Sequence, residues 1–414
     1  MNTIPRIKLT ITFQELFTFI WNMLFVQKGP AEQSQIITSF ETTFSSRYEL
    51  PPGIATCKAR MGLYHLLKNM NLPLGGEVLI SALHVADFIN VIHLAGFKPV
   101  VIDIEKNSYC MDFHDLEKKI TSKSVLFLIT HLAGYPHDMQ KVLNISNKYH
   151  LPFIEDCSQA ISSTFHGKPL GTFGSASIFS LSLLKPICTI NGGIILSSNT
   201  ALLNKIRTSI SSQKKIDKIP YITEAIKNII LKLAVSPLLF TFIVFPLLRP
   251  LIYKDDFFAK FQKHNKLVIK RERLPQHFFE PFTWQQALLG LSQLKTLKER
   301  EIRRYNNATR LYSKINNKLI HKPLPHAPQS NHSFWLFPIK TANPANLRNY
   351  LYKHGIDCSK MLLSCIPEEI AFTEYSFLAN HAKKTKDQTL FIPAYADLKD
   401  KDIIHIIDTI NRYK

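Results

Sequence analysis

From Pro169 to Ser198 the sequence runs PLGTFGSASIFSLSLLKPICTINGGIILSS, and Lys185 is its one charged residue. Burial among apolar neighbours disfavours an ammonium, so such a lysine reaches its neutral form near pH 7 and can attack an aldehyde. Upstream, an apolar run ends in Glu155-Asp156, with Gln159 three positions later. A carboxylate there can keep a pyridine nitrogen protonated, so that the ring accepts electrons from a carbanion. Ser180, five residues before the lysine, offers a hydroxyl to a phosphate, and backbone amides at a helix N-terminus offer N–H donors. Taken singly, each has an ordinary explanation: strand-end aspartates cap helices, and lysines between apolar residues snorkel to water. Together and in order, they suit amine transfer through an aldehyde cofactor.

The surrounding pattern supplies elements to position them. Val78–Ser81, Lys98–Asp103, Val125–Ile129 and Pro152–Glu155 read as short apolar strands. Helical stretches separate them, at Val85–Ala95, Asp112–Ile120 and Met139–Tyr149. Continuous apolar strands alternating with amphipathic helices predict an α/β fold whose central sheet is mostly parallel and covered on both faces. Ligands bind such sheets beyond the carboxyl ends of the strands, where His131 and Asp156 fall. A long helix over Thr283–Leu311, strands near Phe334–Pro338, and helices at Asn343–His354 and Asp400–Arg412 predict a smaller α+β domain at the C-terminus. The expected division is a helical segment 1–35, a large domain 36–282 and a small domain 283–414.

Glu155-Asp156-Cys157-Ser158-Gln159-Ala160, Gly167 to Gly174, Phe179-Ser180 through Lys185, and Gly192-Gly193 follow one another in a recognisable order. The segment resembles the DegT/StrS nucleotide-sugar aminotransferases of the aspartate-aminotransferase fold, that is, pyridoxal-phosphate (PLP) transferases of fold type I. His131 to Met139, Gly96 to Ile104, Phe40-Glu41, Gln286 to Gly290 and Pro393 to Leu398 extend the resemblance from about residue 36 to the C-terminus. It implies that Lys185 forms the Schiff base with PLP and is the catalytic residue, with Asp156 facing the pyridinium nitrogen and Gln159 beside the ring. Ser180 and the backbone amides of Arg60 and Met61 would hold the phosphate, Arg60 adding its guanidinium. Val85, next to His84, falls where a side chain usually stacks on the ring, and His332 where a histidine meets substrate. Asn191, Phe279 and the stretch Cys358 to Pro367 depart from the family's pattern. The resemblance further implies an amino acid as donor (glutamate in the family), a nucleotide- or lipid-linked keto sugar as acceptor, a role in surface glycan synthesis, and a homodimer. Alternative readings are a sugar dehydratase, in whose relatives histidine replaces the lysine, and a PLP-binding scaffold that has lost catalysis.

Composition bounds the rest. The 414 residues are 45% hydrophobic and 11% aromatic, enough for a full core. Lys plus Arg number 51 against 31 Asp plus Glu, giving +20, which suits nucleic acid, an anionic membrane face or a phosphorylated substrate. With no metal-type Cys/His spacing and no basic repeat interleaved with aromatics, nucleic acid is disfavoured and no metal is expected. Six scattered cysteines predict reduced thiols in a cytoplasmic protein. Arg6 and Lys8 precede an apolar stretch that Glu15 interrupts, which predicts a surface-seeking helix and not an export signal. Residues 229–253 form an almost wholly apolar insert broken by Pro237, Pro246 and Pro250, with basic flanks. Contact with the inner face of a membrane, a buried hairpin and a dimer contact all fit it.

Overall fold

The computed structural model describes residues 3–211, 216–247, 268–322, 329–361, 363–375 and 377–414. Residues 248–253 of the apolar insert, and Lys214, Lys215, Lys260, Lys263 and Lys266 of its flanks, lie outside them.

Residues 3–12 run extended along the C-terminal part of the chain, where Ile4 bridges Ile356 and Arg6 is bonded to Asp357. Thr12 and Glu15 then form a capping box that starts helix α1, Phe13–Phe25, and α2, Pro30–Arg47, follows. The large unit alternates β1 (Gly53–Thr56), α3 (Ala59–Asn69), β2 (Glu77–Ser81), β3 (Leu83–His84), α4 (Asp87–Leu94), β4 (Lys98–Ile102), α5 (Phe113–Lys119), β5 (Ser124–Thr130), α6 (Met139–Tyr149) and β6 (Phe153–Asp156). A short hairpin, β7 (Thr164–Phe165) and β8 (Lys168–Pro169), leads to β9 (Ala176–Ser180) and β10 (Gly193–Leu196). The central sheet has the order β1-β10-β9-β6-β5-β2-β4, in which β10 alone runs against its neighbours.

Two cores explain why these strands read as unbroken apolar runs. Leu126, Leu128, Ile154 and Ile178 point into one core and Phe127, Ile129, Phe153 and Phe179 into the other, so both faces are covered. Helices α7 (Thr200–Ser211), α8 (Lys218–Ala234) and α9 (Pro237–Leu247) follow β10. Helix α10, Trp284–Lys314, begins at a second capping box on Thr283 and Gln286. It packs tightly on α2: a Cβ at Gly290 would lie 2.3 Å from the Phe40 ring, so only glycine fits there.

Beyond α10, β11 (Ser330–Asn331) joins the hairpin β7–β8. A second sheet is formed by β12 (Phe337–Lys340), β13 (Ser359–Lys360) and β15 (Thr389–Ile392), while β14 (Ser364–Cys365) pairs with β3. Helices α11 (Pro344–Lys353) and α13 (Asp400–Asn411) cover that sheet through Leu347, Leu351, Ile403 and Ile406; α12 spans Asn380–Gln388. One expected strand starts late. Phe334 adopts φ +46° and donates its N–H to His332 Nδ1 at 2.7 Å, so the chain turns through 334–336 before pairing begins at Phe337.

Candidate active site

A cleft of about 270 Å³ opens at the carboxyl ends of β5, β6 and β9. Asp156, the last residue of β6, is buried at its floor. Burial opposes its ionisation, yet the His84 imidazole and the Ser158 N–H outweigh that penalty and hold its carboxyl below the ordinary range. His84 Nε2 lies 3.4 Å from Asp156 Oδ2 and 2.9 Å from Thr130 Oγ1, and Ser158 N–H donates to Oδ1 at 2.9 Å. The short strand β3 thus fixes His84 against the carboxylate that sequence reasoning chose.

Lys185 lines the same cleft. Burial drives its amine down to about 7, against the opposing pull of the Asp156 charge. Its Nζ stands 3.7 Å from the centroid of the Trp335 ring, whose Nε1–H donates to Leu184 O at 2.9 Å. Leu184 itself adopts φ +71°, a left-handed conformation that a branched side chain takes only when its surroundings enforce it.

Helix α10 braces the residues that follow. Gln293 accepts from Cys188 N–H at 3.0 Å and donates to Cys188 O at 2.6 Å. Gln286 Nε2 donates to Thr189 O at 3.2 Å and Arg300 Nη1 to Pro186 O at 2.9 Å. Positions 286, 293 and 300 are seven apart, so they share one helix face. That face holds the lysine-bearing loop by its backbone. Such a spacing is legible in a sequence, but nothing there says which loop the face meets.

The far end of the cleft has the features of an anion site. Helix α3 opens at Lys58 without a side-chain cap. Met61 N–H turns back to Lys58 O at 3.0 Å, so the amides at the helix mouth are those of Ala59 and Arg60. A Cβ on Gly193 would sit 2.5 Å from Ala59 N, so glycine lets β10 approach the helix terminus. Ser180 and Ser182 hydroxyls lie 3.0 Å apart beside it. Arg60 lines the cleft, but its guanidinium is bonded to Asp87, which also holds Arg271 at 2.8 Å. Lys58, which sequence reasoning passed over, contributes the nearby amine, lowered by burial.

An amine, a buried carboxylate, paired hydroxyls and an uncapped helix end match the aldehyde, ring nitrogen and phosphate of PLP. The residues present therefore fit that cofactor.

Most of the expected residues converge here: Arg60, Val85, Asp156, Gln159, Ser180 and Lys185 all line the cleft, as does Asn191. Gln159 Oε1 accepts from Ala133 N–H at 2.7 Å, which orients its amide. Met61 does not line it, its side chain being fully buried in the core. His332 is the chief correction. It faces a separate cavity of about 480 Å³ beside Tyr48 and Glu301, wedged between the rings of Tyr135 and Phe334. Burial pushes it down to about 3, so it is neutral there. Trp335, three residues on, occupies the cleft instead, because the turn at Phe334 directs consecutive side chains to different sides. Nearby, His131, Glu155 and Cys157 place ligand-type atoms within 4.8 Å of one another, but Glu155 is taken up by N–H groups of Gly171, Phe173 and Gly174. That carboxylate holds the 171–174 turn.

The sequence model of the DegT/DnrJ/EryC1/StrS aminotransferase family matches residues 24–220 and 282–411. The GDP-perosamine synthase of Escherichia coli O157:H7 is 29% identical over 175 residues, 42% of this chain and 48% of that protein. The chain thus matches about half the length of such relatives. Among solved structures, the sugar aminotransferase CalS13 from Micromonospora echinospora superposes with a TM-score of 0.74 at 19% identity, covering 99% of both chains. Helicobacter pylori PseC, an aminotransferase involved in the biosynthesis of pseudoaminic acid, gives 0.72 at 19% identity, over 99% of this chain and 97% of its own. These likenesses establish the fold.

Proposed function

The chain belongs to the DegT/DnrJ/EryC1/StrS aminotransferase family, and from that premise we propose that it is a PLP-dependent aminotransferase acting on a keto sugar. The observation that carries this is the convergence of Lys185 and Asp156 on one cleft, with the amine brought down to about 7. PLP bound there would act as an electron sink for the carbanion formed at the amine-bearing carbon. Lys185 would hold the cofactor and, with its amine free, would serve as base and then acid at the amine-bearing carbon. Asp156, kept ionised by His84 and Ser158, would keep the ring nitrogen protonated. The α3 terminus, Ser180 and Ser182 would hold the phosphate, and Gln159 would lie beside the ring.

The donor in this reading is glutamate and the acceptor a nucleotide- or lipid-linked sugar destined for a surface glycan. The working unit is a homodimer. It works in the cytoplasm, with residues 229–253 touching the inner membrane face. A lysine at 185, in place of the histidine of dehydratases, favours transamination.

Adding glutamate to the PLP-loaded protein should shift its visible absorbance, and a keto nucleotide sugar should restore it while gaining an amine. Lys185→Ala should show neither change. Turnover in that variant would exclude the mechanism, and a loaded wild type that ignores every amino acid would favour the scaffold reading.

A further inference from the structure

Helices α1 and α8 pack against each other through Leu16, Phe19, Tyr221 and Ala225. A soluble helix pair ordinarily turns polar side chains outward. Here Phe17 and Trp21 are each 60% exposed and Phe25 65%, at positions i, i+4 and i+8 along one stripe of α1. On α8 Ile230 is 61% exposed, and on α9 Leu238 and Phe242 are exposed by 72% and 74%. These helices are therefore apolar on their inner and outer surfaces alike, a pattern that marks an interaction site. Among the described residues no single helix is long and apolar enough to cross a membrane. The pair Lys218–Ala234 and Pro237–Leu247 passes that test only jointly and is bent by 65°. A bent apolar pair beside a third apolar stripe suits lying along an interface better than crossing it.

Charge selects the occupant. Residues 212–273 carry thirteen Lys and Arg against five Asp and Glu, a net +8. Anionic headgroups would neutralise that excess. We infer that α1, α8 and α9 together form a platform that docks this protein on an anionic lipid surface, with the α1 stripe as an essential half. The inference rests on the membrane contact proposed above for residues 229–253, and it extends that contact to a helix on a distant part of the chain.

The test is co-sedimentation of the full-length protein with vesicles of phosphatidylcholine alone or mixed with phosphatidylglycerol. Wild type should sediment with the mixed vesicles and be released by salt. Two variants, Phe17→Ser/Trp21→Ser/Phe25→Ser and Leu238→Ser/Phe242→Ser, should each bind at least about tenfold more weakly. Both should retain PLP absorbance and the wild-type oligomeric state, which separates lost docking from lost folding. Undiminished binding by the α1 variant, with loss in the α9 variant, would overturn the inference while leaving the 229–253 contact standing. Absence of wild-type binding to either vesicle would overturn both. Dissociation of the oligomer in the variants, with vesicle binding unaltered, would make the platform a contact between copies and also overturn it.

Discussion

At Lys185 two forces of opposite sign act on one amine. Burial expels the proton and the Asp156 charge retains it, and burial prevails, leaving the amine at about 7. Only the neutral amine condenses with an aldehyde, so the rate at which apoprotein takes up PLP should climb about tenfold per pH unit below that value and level off above it. Stopped-flow absorbance from slightly acid to slightly alkaline pH would record the curve, and a flat profile would contradict it. Replacing Asp156 with asparagine removes the retaining charge, so the midpoint should move to lower pH, in addition to the loss of turnover. His332 and Trp335 give a second contrast. His332→Ala removes a ring wedged between Tyr135 and Phe334 and should cost roughly 1–3 kcal/mol of stability, read by denaturant unfolding, while leaving PLP absorbance intact. Trp335→Ala should leave stability nearly unchanged but alter the pH profile of PLP uptake, since its ring faces the Lys185 amine.

Among the elements, the parts that a sequence can show are those governed by one local rule. Strands such as Val125–Ile129 declare themselves because both faces of a parallel sheet are buried, and α10 because Thr283 and Gln286 cap it. The motif from Glu155 to Lys185 was legible for the same reason: strand, turn and strand bring its residues together with little help from elsewhere. His332 was misplaced because one positive φ at Phe334 decides which side chain enters the cleft, and an aromatic residue gives no warning of it. Lys58 was overlooked because its role depends on where helix α3 starts. The grip of α10 on residues 186–191 is long-range and so was invisible, but its consequence is testable. Gln293→Ala leaves both backbone groups of buried Cys188 without their side-chain partner, at an expected cost of about 2–4 kcal/mol. The loss should show in calorimetric melting and in weaker PLP retention, because the loop that slackens carries Lys185. A variant that melts like wild type and retains PLP equally would deny α10 this part.

For the whole molecule the governing quantity is charge. A formal +20 over 414 residues creates a field that reaches well beyond any contact, and it concentrates anions near the surface. If the acceptor carries phosphates, as a nucleotide- or lipid-linked sugar does, its capture is accelerated by that field and its chemistry is not. Salt shortens the screening length from about 30 Å at 0.01 M to about 8 Å at 0.15 M. Over that range kcat/KM for the phosphorylated acceptor should therefore fall by roughly tenfold or more, while kcat at saturation stays within about twofold. Glutamate is also an anion, but it carries less charge, so the half-reaction with the donor should respond less steeply. Steady-state kinetics across a sodium chloride series would separate the two. Equal salt sensitivity in kcat and kcat/KM would mean that salt acts on the site or on assembly. A flat response in both would mean that the positive surface faces something other than the substrate, which leaves the lipid platform as its remaining use.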